Sequence, residues 1–154
     1  MQTGQGPWWA ALTVWAVVNA VCLLQAVGFL SRIPSGSLAV NRALGWVMIA
    51  LAIPAAIALV AFVRAQAGWL QWIGPAAYLA FIALMVAVDY ARPVEFRSPP
   101  RYEVLVPYLV LFFGAILLMG VPMYKVDRGL WLVTAASATL LIVSMTVAMR
   151  KGVG

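Results

Sequence analysis

Charges are rare in this 154-residue chain and come in clusters, and the spacing between clusters constrains the fold more than any other feature. Met1–Ser31, Ala43–Val63, Ala65–Val88, Val104–Tyr124 and Gly129–Met149 contain no Asp, Glu, Lys or Arg, and each runs for 21 residues or more. About 20 apolar residues, rising roughly 1.5 Å each, cross a hydrocarbon core of about 30 Å. Five such gaps predict five membrane-spanning helices. Hydrophobic residues make up 66% of the chain and charged residues 9%, whereas soluble domains run nearer one half and one quarter. That much apolar surface needs lipid to cover it. A membrane β-barrel would alternate apolar and polar residues over segments of about 10, and no such alternation runs here.

The expected fold is an all-α membrane protein, a five-helix bundle forming a single integral membrane domain over residues 1–154. The gaps and their flanks predict helices near 7–30, 43–63, 69–90, 103–124 and 129–149. Pro34, Ser35, Gly36 and Ser37 mark a first loop over Ser31–Arg42. The second connection, near Arg64–Gly68, is short and predicts antiparallel neighbours. No basic residue precedes the first apolar stretch, which from Trp8 to Leu30 is too long for a signal-peptide core. A retained span is therefore expected there.

Five spans put the termini on opposite sides. One side then receives Arg32, Arg42, Arg92, Arg97, Arg101, Arg150 and Lys151, and the other Arg64, Lys125 and Arg128. The Lys and Arg excess belongs in the cytoplasm, which predicts an outside N-terminus and a cytoplasmic C-terminus, in a bacterial-type cytoplasmic (inner) membrane. Trp8, Trp9, Trp69, Trp72, Tyr124 and Trp131 fall at the opposite ends of their helices, where amphipathic rings suit an interface. The net charge of +6 is explained by these flanks and by anionic lipid, so nucleic acid is not an expected partner.

The residue types exclude much chemistry. There is no histidine, so Ser-His and Cys-His pairs and His-ligated metals or haem have no basis. Cys22 is the single cysteine and has no partner within the chain. No cofactor, metal site or catalytic residue is expected. Proton-coupled carriers use a carboxylate or histidine at membrane depth; Asp89, at a helix end, is the nearest to one.

The remaining candidates are neutral side chains inside spans and one charged loop. Trp15, Asn19 and Cys22 share a helix face at i, i+4 and i+7, with Gln25 at its edge. Asn19 and Gln25 need partners in hydrocarbon and should face the bundle. They read either as interhelical links or, with Trp15 and Tyr78, as a ligand site. The second helix is rich in small residues, with Gly45, Ala52 and Ala56 on one face, which predicts it at the centre of the bundle. Pro54, Pro75 and Pro122 fall within or near the ends of spans and free backbone carbonyls. Between Asp89 and Glu103, the acids Asp89, Glu95 and Glu103 alternate with Arg92, Arg97 and Arg101. That pattern predicts an ion-pair cluster, with Arg97 or Arg92 reaching Asp89, or alternatively a head-group site.

Three functions fit this reading. The first is a non-enzymatic bundle that binds lipid or another hydrophobic small molecule, or serves as an accessory subunit in a homo-oligomer or larger membrane complex. The second is a small facilitator or channel. The third is an interfacial enzyme acting on lipid head groups through Asp89, Glu95 and the arginines.

Overall fold

The computed structural model describes residues 6–91 and 101–153, and these form helices joined by turns, without strands. Five helices are long and apolar enough to cross a membrane: α1 (Trp8–Ser35), α2 (Ala39–Arg64), α3 (Trp69–Ala91), α4 (Tyr102–Val126) and α5 (Arg128–Arg150). This is the architecture of a multi-pass membrane protein. In lipid every backbone group must be satisfied within the segment, and a helix does that by itself. Pro54, Pro75 and Pro107 accordingly sit inside helices that continue through them.

Two helices change character along their length. The last six residues of α3, Val86–Ala91, form a π-helical turn. α4 is α-helical to Gly120, breaks at Val121 and Pro122, and resumes for one turn over Met123–Val126. Pro122 has no N–H to donate, and its ring crowds the carbonyl one turn back.

The first connection is much shorter than its turn-forming residues suggest. α1 runs on through Pro34 to Ser35 and α2 starts at Ala39, so only Gly36, Ser37 and Leu38 lie between them. Gly36 supplies the left-handed conformation (φ 58°) and donates its N–H to the Arg32 carbonyl at 2.8 Å, an αL helix stop. The Ser37 hydroxyl accepts from the Ala39 N–H at 3.1 Å and starts α2. Turn chemistry was correctly signalled there, but three residues suffice for it. At the start of α5, Asp127 accepts from the Leu130 N–H at 2.9 Å, an N-cap that fixes the tight α4–α5 turn.

The centre of the bundle is α1, not α2. Eleven residues of α1 are buried, against five of α2. α1 packs against α5, α2 and α4. Its buried face, which includes Ala10, Val14, Val18, Val21 and Cys22, carries little bulk, and without a hydrophobic drive between helices in lipid, close approach supplies the packing. In α2 the buried positions are Gly45, Met48, Ala55, Ala58 and Phe62, while Ala52 and Ala56 are half-buried. Ile53, Ile57, Val60 and Val63 are exposed toward the lipid. The small face Gly45, Ala52 and Ala56 that points to a central α2 is buried only at Gly45, and the exposed β-branched residues beside it decide against a central position.

α3 and α4 approach closely at Gly74. A Cβ on Gly74 would lie 2.7 Å from the carbonyl carbon and oxygen of Leu118 and 2.7 Å from the Met119 nitrogen. Farther along the same pair, the Phe81 ring meets Phe112 and Tyr108 at centroid distances of 5.2 and 5.1 Å.

Candidate functional site

The C-terminal ends of α1, α3 and α5 and the N-terminal ends of α2 and α4 surround a cavity of about 350 Å³. Small-molecule sites occupy about 300–1,000 Å³. Each helix contributes residues at helical spacing: Gln25, Phe29 and Arg32 from α1; Asn41, Arg42 and Gly45 from α2, with Leu38 just before it; Phe81, Met85 and Asp89 from α3; Leu105, Tyr108 and Phe112 from α4; Met145 and Met149 from α5. Arg32, Asn41, Arg42, Asp89 and Tyr90 lie toward the helix ends, and Gln25, Phe81, Met85 and Phe112 lie deeper.

Arg32 is the central cation of this site. It is 7% exposed, in the last turn of α1, where a positive charge also meets the negative end of the helix dipole. Its Nε donates to Asn41 Oδ1 at 3.1 Å. Its guanidinium carbon stands 4.7 Å from the centroid of the Phe29 ring, within cation–π range. Asn41 reaches this position because Gly28 has no side chain; a Cβ there would come within 2.9 Å of Asn41 Oδ1.

The opposite wall is set by the π-helical end of α3. The Tyr90 hydroxyl donates to the Arg42 carbonyl at 2.8 Å. Gly45 makes the room, since a Cβ at that position would collide with the Tyr90 hydroxyl. Trp46 packs on the Tyr90 ring with centroids 4.9 Å apart. Asp89 Oδ2 accepts from the Tyr108 hydroxyl at 3.2 Å. One wide helical turn thus presents a carboxylate and a phenol to the same cavity; π-turns of this kind are frequent at functional sites.

The site residues expected from sequence fall in different places. Gln25 lines the cavity, with its Nε2 2.8 Å from the Met48 sulfur. Trp15 and Asn19 do not line it; they hold α1 to α5. Trp15 Nε1 donates to the Leu130 carbonyl at 2.9 Å. Asn19 Nδ2 donates to the Trp15 carbonyl and to Thr134 Oγ1, and its Oδ1 accepts from the Ser137 hydroxyl at 2.7 Å. Tyr78 is buried and donates to the Met48 carbonyl at 2.7 Å, a link from α3 to α2. Of the charged cluster, Asp89 lines the cavity, while Arg101 and Glu103 are exposed at the start of α4 and do not line it. Arg92, Glu95 and Arg97 lie outside the described residues, and with them the ion pairs expected for Asp89.

Sequence reasoning missed Arg32, Asn41, Tyr90 and Tyr108. Arg32 had been assigned to topology alone. The signal that finds it is the i, i+4, i+7 stripe Gln25, Phe29, Arg32, which combines an amide, a ring and a guanidinium on one helix face.

No protein-family model, no curated protein and no solved structure matches this chain. The functional reading therefore rests on the chemistry of the cavity.

Proposed function

We propose that this multi-pass membrane protein is a binding protein for an amphipathic lipid or similar hydrophobic molecule, held in the cavity at the basic end of the bundle. The observation that carries the proposal is the buried Arg32 guanidinium at the polar end of a cavity of about 350 Å³ whose deeper walls are Phe81, Phe112, Met85 and Met145. A charged head and an apolar tail have complementary walls there. Thioether side chains adapt to irregular apolar shapes, which suits a tail of variable length. The seven-to-three basic asymmetry orients this end toward the cytoplasm of a bacterial-type inner membrane.

A facilitator would need a passage through both halves of the bundle. The half nearer Trp8 is filled by Val18, Phe62, Tyr78, Met119 and Met123, each at most 2% exposed, and this packing favours binding over conduction.

Native mass spectrometry of the protein purified in mild detergent tests the reading. The expected spectrum shows a retained adduct of lipid-like mass, extractable into organic solvent. Met85→Trp, which fills the cavity, should abolish the adduct while the protein stays monodisperse. An adduct that survives Met85→Trp unchanged, or an adduct-free spectrum with no saturable uptake of added lipid, would overturn the proposal.

A further inference from the structure

Around the bundle the helices follow the order α5, α1, α2, α3, α4, each successive pair making an extensive seam, and α1 also packs on α4 across the middle. The ring closes between α4 and α5, and this closing seam is sparse among the described residues. The two helices are joined by the turn at Asp127. Near that turn they touch, with the Thr134 methyl 3.1 Å from where a side chain on Gly120 would begin. At the other end Leu109 and Phe113 of α4 and Met145 and Met149 of α5 line the cavity. Leu109 and Met149 are also exposed, at 38% and 62%, so among the described residues this stretch of the cavity wall is not covered by a further helix.

From this geometry we infer a lateral portal between α4 and α5, through which a single-chain anionic amphiphile enters from the membrane with its tail left in the seam. The inference rests on the binding function proposed above and adds the route and the ligand class. Three observations carry it. The cavity of about 350 Å³ stops against the filled half of the bundle, where Phe62 and Tyr78 are buried. A chain too long for the cavity cannot continue through the bundle and must leave it sideways. The seam offers that chain an apolar path, bounded by Leu109 and Met149, to a surface already in contact with lipid. The third observation is charge. Among described residues the lining holds Arg32 and Arg42 against Asp89. Among the described residues this end carries Arg32, Arg42, Arg101, Arg150 and Lys151 against Asp89 and Glu103. A field of that sign favours an anionic head, and a guanidinium fork suits both carboxylate and phosphate.

A photoreactive palmitate with a diazirine near its methyl end tests the route, using the full chain in lipid nanodiscs. Irradiation followed by peptide mapping should place saturable adducts on α4 and α5 near Leu109 and Met149. Leu109→Trp, a change at the lipid-exposed rim, should slow labelling about tenfold without altering the melting temperature. Unlabelled palmitate and lysophosphatidate should compete at least tenfold better than lysophosphatidylcholine, since a hydrogen-bonded charge of this kind is worth roughly one factor of ten. Competition by palmitate alone assigns a carboxylate head, and competition by lysophosphatidate alone a phosphate. Arg42→Gln, at the exposed rim, should narrow the preference for anionic competitors. Saturable adducts on the α2 or α3 surface would overturn the portal while leaving the binding function standing. Equal competition by the zwitterionic lipid would overturn the head-group assignment. Unsaturable labelling everywhere would overturn the portal together with the binding function.

Discussion

Replacing Gly74 with alanine should destabilise the protein far more than one methyl group ordinarily does. The new Cβ would stand 2.7 Å from Leu118 C and O and from Met119 N, whereas carbon contacts are comfortable at about 3.5–4.0 Å. The obstacles are backbone atoms of a membrane-spanning helix, so no rotamer change relieves them. α4 must retreat from α3 by about 1 Å to restore that spacing. Overpacking of this kind costs about 1–3 kcal/mol, and a rigid obstacle places the cost in the upper half of that range. Alanine's better helix propensity returns about 1 kcal/mol. The net loss of about 1–2 kcal/mol corresponds to a fall of about 2–8 °C at the sensitivity of a chain this size. Gly114→Ala is the matched control on α4, because nothing lies within 4 Å of its Cβ position. It should leave the melting temperature unchanged or raise it slightly. Tryptophan fluorescence during thermal unfolding in mild detergent measures both. Pro75 adds a local complication, since a proline ring crowds the Cβ of the residue before it in a helix. A double-mutant cycle with Pro75→Ala separates the two causes. If Gly74→Ala melts with the wild type, or its cost vanishes in the Pro75→Ala background, the close approach of α3 and α4 is not its source.

Three further outcomes follow from the packing. Asn19→Leu should cost about 0.6–2 kcal/mol, the range of interhelical hydrogen bonds in bilayers, and in a double-mutant cycle with Ser137→Ala the two losses should be non-additive; additive losses would mean that the α1–α5 link is not a unit. Ala55→Leu should lower thermal stability by about 1–3 kcal/mol and Ala56→Leu by much less, since Ala55 is fully buried and Ala56 only partly; the reverse order would place the wrong face of α2 inward. In a Cys22→Ala background, cysteines at Thr3 and Gly152 should be labelled from opposite sides of the membrane, and same-side labelling would contradict an odd number of spans.

The number and approximate limits of the helices were legible because charge is expensive in hydrocarbon. Gaps in the charge pattern therefore report spans directly, and three of the five helices, α3, α4 and α5, begin and end within about two residues of the expected bounds, the usual uncertainty of a helix end. The first connection was not legible, because Pro34 and Ser35 fit either a loop or the last turn of a helix; only the αL conformation of Gly36 decides between them. The centre of the bundle was misread for a related reason. Alanines at 50, 52, 55, 56, 58 and 61 surround α2, so the face of Gly45, Ala52 and Ala56 is one of several small faces, and the buried one runs through Met48, Ala55, Ala58 and Phe62. The candidate site was half legible. Asn19 could be given a partner in principle, but nothing in a single sequence says whether that partner is Thr134 and Ser137 or a ligand. Arg32 was hidden by a valid rule, since basic residues at helix ends set topology whether or not they also line a cavity.

The cavity lies at the basic end, and the glycines explain how the two ends come to differ. Near the opposite end Gly74 and Gly120 admit, respectively, a backbone and a threonine methyl. At the basic end Gly28 and Gly45 face side chains instead, the Asn41 amide and the Tyr90 hydroxyl. There the space left by a missing side chain is filled by a polar tip reaching from a neighbouring helix. The aromatic rings Phe81, Tyr108 and Phe112 add bulk between α3 and α4. These rings line the cavity, and the polar tips tie its perimeter together. The same residue type thus tightens one half of the bundle and furnishes polar groups to the walls of a cavity in the other.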